Sequence, residues 1–93
     1  MHVGIANWQN LGYQQITDLD PAVGLDVPEG ARFAILVAEA QHVRWRDDGD
    51  DPTTAIGMLL KTTDQPFLYA GSLEAIRFFD DTAGAILNVS YYA

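Results

Sequence analysis

The chain has 93 residues, 13 acidic against 5 basic side chains for a net charge of -8, 48% hydrophobic residues and no cysteine. That length allows one domain, and that apolar content excludes a disordered tail. The acidic balance excludes nucleic acid and anionic membrane surfaces as main partners, since phosphate binding needs clustered Lys and Arg, and the lack of cysteine removes disulfides, thiolate catalysis and Cys-based zinc sites.

Residues 1–13 carry no Pro and no charge cluster, and their apolar Ile5, Trp8, Leu11 and Tyr13 are irregularly spaced. They are expected to form an N-terminal arm, docked on this domain or on another chain, ahead of a single domain over residues 14–93. Met1-His2-Val3-Gly4 has neither the basic region nor the apolar run of a signal peptide. No stretch approaches the roughly 20 apolar residues of a membrane span.

Asp20-Pro21 and Pro28-Glu29-Gly30 are turn signals. Between them Val23, Leu25 and Val27 alternate with Gly24 and Asp26, the pattern of a short half-buried strand. The segment Arg32–Arg46 is ambiguous. Phe33, Leu36, Val37, Ala40 and Val43 would form a helical stripe. Against a helix stand the missing N-cap, the compact run Phe33–Ala38 with β-branched Ile35 and Val37, and the alternation of His42-Val43-Arg44-Trp45-Arg46. Two strands, Phe33–Ala38 and Gln41–Arg46, with a hinge near Glu39-Ala40, are the expectation.

Asp47-Asp48-Gly49-Asp50-Asp51-Pro52 is a loop with nothing to bury. Ile56, Met58 and Leu60 then alternate, with Gly57 marking a bulge or a close approach. Lys61–Pro66 is a turn, and Phe67–Ala70 a short strand stopped by Gly71-Ser72. Ile76 and Phe78 alternate with Arg77 and Phe79, although Ser72 is also able to cap a short helix there. Asp80–Gly84 is a turn. The last segment is the clearest strand: Ala85, Leu87, Val89 and Tyr91 share one side, and Ile86, Asn88, Ser90 and Tyr92 the other. Turn signals every 8–12 residues between short apolar pieces predict an all-β fold, a small antiparallel β-sandwich or jelly-roll-like domain of about seven or eight strands.

Few residues suggest chemistry. The acids Asp47, Asp48, Asp50 and Asp51 lack the spacing and the terminal Glu of an EF-hand loop, so a solvated loop is expected. His2 and His42 are the only histidines, and His42 is expected on the strand face opposite Val43 and Trp45. Ser72 and Ser90, the only serines, lie in no nucleophile elbow, and no phosphate-binding glycine loop is present. No enzymatic activity, metal or cofactor is expected. Arg44 and Arg46 share a strand face by their i, i+2 spacing, ready to pair with the acidic loop or with acids of a neighbouring chain. Trp8, Tyr13, Trp45, Tyr91 and Tyr92 join them as candidate partner or self-interface residues, because so small a core hides large aromatics with difficulty.

The run Val43-Arg44-Trp45-Arg46-Asp47-Asp48-Gly49-Asp50-Asp51-Pro52-Thr53, the following Gly57-Met58, the stretch Leu73-Glu74-Ala75-Ile76-Arg77-Phe78 and the closing Ala85–Tyr92 together resemble small structural proteins of tailed-bacteriophage virions. The likeness covers about Gly24 to Tyr92. It implies a β-domain in which Arg44, Asp48, Gly49, Pro52 and Thr53 are strand-end and turn architecture, and it brings no catalytic residue. The implied role is a capsid decoration or cement protein that binds the major capsid protein and stabilises the head. Alternatives are a head-fibre, neck or tail component, and, from a different class, a carbohydrate- or ligand-binding β-module using Trp45, Tyr91 and Tyr92. The expected partners are the major capsid protein or another virion protein, and a second or third copy of the chain in a dimer or trimer. The expected location is the virion, at the head surface, after synthesis in the host cytoplasm.

Overall fold

Period-two alternation of apolar side chains dominates the molecule, a computed structural model that describes residues 7–93. Seven strands form: β1 (Asn10–Ile16), β2 (Phe33–Glu39), β3 (Val43–Arg46), β4 (Met58–Leu60), β5 (Phe67–Tyr69), β6 (Arg77–Asp80) and β7 (Ile86–Tyr92). They make two antiparallel sheets, one in the order β1-β7-β2-β5 and one in the order β4-β3-β6. The fold is an all-β sandwich, with no α-helix among the described residues.

The ambiguous segment is two strands. In β2, Ala34, Leu36 and Ala38 are buried while Phe33, Ile35 and Val37 stay partly exposed, a strand pattern rather than a helical stripe. The hinge is Ala40, whose φ of 72° places it in the left-handed region. That conformation costs a side-chain-bearing residue roughly 1–2 kcal/mol. It ends pairing with β2 and sends the chain across to β3 in the other sheet.

The core lies between the sheets. Leu36, Leu87, Val89 and Tyr91 come from the four-stranded sheet, and Val43, Phe78 and Leu60 from the other, with Leu19 and Ile76 supplied by connections. Each fully buried side chain of this size contributes roughly 1.5–3 kcal/mol. Ile76 precedes β6 rather than beginning a helix. The backbone N–H groups of Ala75 and Ile76 both donate to the Ser72 carbonyl, closing a turn and no more.

Two expectations about local structure are corrected. The short strand over Val23–Val27 does not form; only Val23 pairs, exchanging 2.9 Å backbone hydrogen bonds with Phe78 of β6. The segment runs between the edges of two sheets, so no single partner strand is in register with it. The division between an arm at 1–13 and a domain at 14–93 also fails, because β1 starts at Asn10 and pairs with β7 from Tyr92 to Leu87. Upstream of β1, Gln9 exchanges backbone hydrogen bonds with Ala93 (2.9 and 3.0 Å) and Trp8 packs on Phe33 with ring centroids 4.5 Å apart. From Asn10 onward the supposed arm is therefore part of the sheet, with Trp8 and Gln9 held against it. His2 and Ile5 lie outside the described residues.

Deleting residues 1–13 removes Trp8 and Asn10–Tyr13 and strips one edge of β7 over Ser90–Tyr92, leaving Gln14–Ile16 paired with Val89–Leu87. The lost burial of Trp8 and Leu11 is worth at least about 2–3 kcal/mol, which lowers Tm by roughly 10 °C or more in a domain of this size. Thermal melts of the full and truncated chains followed by circular dichroism check this; equal melting temperatures would restore the free arm.

Candidate functional site

The two sides of the sandwich differ. On one side the chain fills the gap between the outer strands β1 and β6. Leu19 is only 1% exposed, Val23 pairs with Phe78, and Gln14 of β1 holds Asp26 through its side chain, accepting from the Asp26 N–H at 3.2 Å and donating to its carboxylate at 3.1 Å. Arg77 completes this closure by donating to the carbonyls of Glu74 and Ile76, both at 2.9 Å. Gly24 lies against the Arg77 guanidinium, whose flexible end would have to shift for a Cβ, which would come 2.8 Å from it.

The opposite side is open. Its edges are β4 and β5, each hydrogen-bonded to one neighbour only. Met58 pairs with Trp45 and so points with it toward the other sheet, yet Met58 is 59% exposed. Between the edges lies a cleft of about 450 Å³ lined by Trp45, Met58, Leu60, Asp64, Pro66 and Phe67. A second hollow of about 520 Å³ shares Trp45 and Met58 with it and reaches Ile56, Asp47 and Asp48. Trp45 stacks on Phe67 across the two sheets (centroids 5.7 Å, 26°) and meets Tyr69 edge-on at 5.7 Å. Exposed Ile56, Leu59 and Leu68 flank this aromatic wall.

The Arg44–Gly57 region builds one rim of the opening. Arg44 Nε donates to Asp81 at 2.9 Å and its Nη1 to the Gly57 carbonyl at 3.0 Å, tying the start of β4 to β3. Gly57, at a φ of 135°, lies so close that a Cβ would come 3.0 Å from Pro52 and 3.2 Å from the Trp45 carbonyl. Pro52 is buried, and the Thr53 hydroxyl accepts from the N–H groups of Ala55 and Ile56. Arg46 donates to both carboxylate oxygens of Asp48 (2.9 and 2.6 Å) and lies 3.5 Å from Asp50. Those hydrogen bonds hold the Asp48 carboxyl below its ordinary value against burial, which raises it, with the guanidinium charge adding a lesser lowering effect. Both candidate arginines are thus committed to their own chain.

The candidate aromatics separate. Trp45 alone lines the cleft. Trp8 and Tyr92 pack with Phe33 on the outer face of the four-stranded sheet, the Phe33 and Tyr92 rings stacked at 5.6 Å. Tyr13 is 64% exposed on the same face, donating to Asn88. Tyr91 is corrected as an interface or sugar-stacking residue: alternation places it inward with Leu87 and Val89, 1% exposed, its hydroxyl donating to Gln14 at 2.6 Å. His42 accepts the Thr62 N–H at Nδ1 (3.1 Å), holding the turn after β4. Among the described residues no three His, Asp or Glu side chains are grouped to hold a metal ion. Sequence reasoning missed the cleft residues Met58, Leu60 and Phe67. Their inward-facing alternation was visible, but it signals burial, which holds for Leu60, while the parting of the sheet edges leaves Phe67 half-buried and Met58 exposed.

Three titratable groups respond to this packing. Burial pushes the Tyr69 phenol up to about 12, reinforced by its 2.6 Å hydrogen bond to the Asp47 carboxylate and by that charge. Burial also pushes Tyr91 up to about 12, with the Asp26 charge adding to it. Asp80 stands opposite buried Val43 and has one carboxylate oxygen buried without a partner. Burial raises its carboxyl above the ordinary range, the Asp20 and Asp18 charges adding to the effect and a backbone hydrogen bond from Ala85 opposing it.

The chain matches no family model, no curated protein and no solved structure.

The ionised Asp80 disfavours the folded state, because its folded pKa lies above the unfolded value near 3.9 and the native chain binds the extra proton. The penalty is complete at neutral pH and vanishes below the unfolded value. Asp80→Asn is expected to raise Tm at pH 7, with the advantage shrinking as pH falls toward about 4 and gone below it; parallel melts across that range check it, and a lower Tm at pH 7 refutes it.

For Tyr69 and Tyr91 the loss falls at the alkaline end. Unfolded tyrosine ionises near 10 while these two hold their protons to about 12, so stability drops as pH rises between those values. Tyr69→Phe loses about 1 kcal/mol at neutral pH with its hydrogen bond but shows a shallower decline of Tm above pH 10. A slope equal to that of the parent would refute the assignment.

Proposed function

We propose that this protein is a non-enzymatic structural component of a tailed-bacteriophage virion, acting as a capsid decoration or cement protein on the major capsid protein. The observation that carries the reading is the open side of the sandwich. A chain of net charge -8 leaves an inward-facing methionine exposed and a tryptophan half-buried between two unpaired sheet edges, which is a surface for docking rather than for chemistry. The resemblance of the Arg44–Thr53 region to virion proteins supports it. Those residues form strand-end and turn contacts that build one rim of this opening. Self-association into a dimer or trimer belongs to the same reading, and the half-buried Phe33, Ile35, Val37 and Tyr92 on the outer face of the four-stranded sheet are the surface for it.

The test is co-sedimentation of the full chain with expanded empty shells of the phage that encodes it. Saturable binding at a fixed ratio to the major capsid protein, with a rise in the temperature at which the shells disrupt, is expected. Recovery of all the protein in the supernatant at micromolar concentration would overturn the head-surface role.

A further inference from the structure

We infer that the cleft between β4 and β5 is a site for strand addition: it takes an extended segment of a partner protein, apolar at alternate positions and flanked by Lys or Arg. This deepens the docking reading by naming the chemistry of what docks, and it holds for any partner that supplies such a segment.

The molecule itself displays the kind of occupant. Its closed side is filled by its own extended chain, in which Val23, Leu25 and Val27 alternate with Gly24 and Asp26 and pack against the core. That segment bridges the two sheets by pairing its backbone with Phe78 on one edge and joining Gln14 on the other. The open side has the same construction with the filler missing. Strands β4 and β5 each lack a partner on their outward edge. Trp45, Met58, Leu60 and Phe67 form the apolar layer between them. Extended segments recognise such edges through main-chain hydrogen bonds and place alternate side chains in the apolar gap.

Charge selects the sign of the partner. Asp64 lines the cleft, and Asp47 and Asp48 line the adjoining hollow. Arg46 lines the same hollow, paired to Asp48 and Asp50, so acids still outnumber cations there, and Asp47 accepts from the Tyr69 hydroxyl. Lys61, exposed in the turn after β4, is the one basic side chain between the two edge strands. A second copy of this chain would bring a further -8 to the same rim, so self-pairing at this edge is disfavoured and a basic-flanked segment is favoured.

The experiment is selection of a yeast-displayed library of random peptides of about nine residues, roughly 30 Å of extended chain, against the full-length protein. Parallel selections use Met58→Lys, which alters an exposed side chain in the cleft, and Tyr13→Lys, which alters the outer face of the four-stranded sheet. Enrichment of peptides with alternating apolar residues and a net positive charge is expected. Their binding should weaken about tenfold or more with Met58→Lys, stay unchanged with Tyr13→Lys, and fall as salt rises from 50 to 500 mM. Amide spectra of the complex should show shifts concentrated at Met58–Leu60 and Phe67–Tyr69. Melting of both variants checks that they fold. No enrichment, enrichment of acidic peptides, or peptides that bind Met58→Lys as well as the parent would each overturn the inference. So would concentration-dependent shifts at the cleft in the protein alone, which would make a second copy the occupant. Shell binding with a failed selection would remove this inference and leave the decoration role; a successful selection without shell binding would do the reverse.

Discussion

Strand β7 is the element on which the rest of the molecule depends. It lies between β1 and β2, and along it Leu87, Val89 and Tyr91 all face inward with at most 1% exposure. Its two neighbours come from the far end of the chain and from the middle, so its backbone pairing closes the longest loops in the fold. A one-residue slip would turn that whole inward row to solvent, which makes the register steeply specified. The Gln14 hydrogen bond to Tyr91 adds a polar latch between β1 and β7 inside the packed layer.

With β7 central, the sandwich has two mouths, and the chain closes only one. The long connection from β1 to β2 must travel from an outer edge back past β7. It spends that length covering the β1–β6 side, burying Leu19 on the way. The connection from β4 to β5 crosses between sheets in the short turn Lys61–Pro66 and has nothing left to cover its own side. The open cleft is therefore a consequence of unequal loop lengths. The aromatic wall of Trp45, Phe67 and Tyr69 keeps it from collapsing.

Electrostatics follow the same division. Three arginines serve as struts: Arg44 to Asp81 and the Gly57 carbonyl, Arg46 to the acidic loop, Arg77 to carbonyls beside the closed mouth. Pairs with exposed acids, such as those of Arg46 with Asp48 and Asp50, add little stability. Their effect is geometric, fixing the Asp47–Thr53 loop beside the cleft. What remains around the opening is mostly acidic, which bears on the partner more than on the fold.

The sequence by itself determined the strands from Phe33 onward and their inward faces, but not β1. Ala85, Leu87, Val89 and Tyr91 were readable as one buried row, and the break near Ala40 as the end of β2, because alternation and turn chemistry are local properties of neighbouring residues. Tyr91 shows the same rule at work: its place in the inward row already opposed an interface role. The arm boundary, the fate of Val23–Val27 and the cleft were not readable. Among the described strands only β3 and β4 pair as consecutive neighbours, and every other pairing joins residues far apart in the chain. Alternation says which side of a strand is apolar, but not whether a second sheet arrives to cover it. Met58 and Leu60 carry the same pattern, yet Leu60 is 4% exposed and Met58 59%. That difference arises because Met58 sits where β4 and β5 part, a position that exists only once the two sheets have packed.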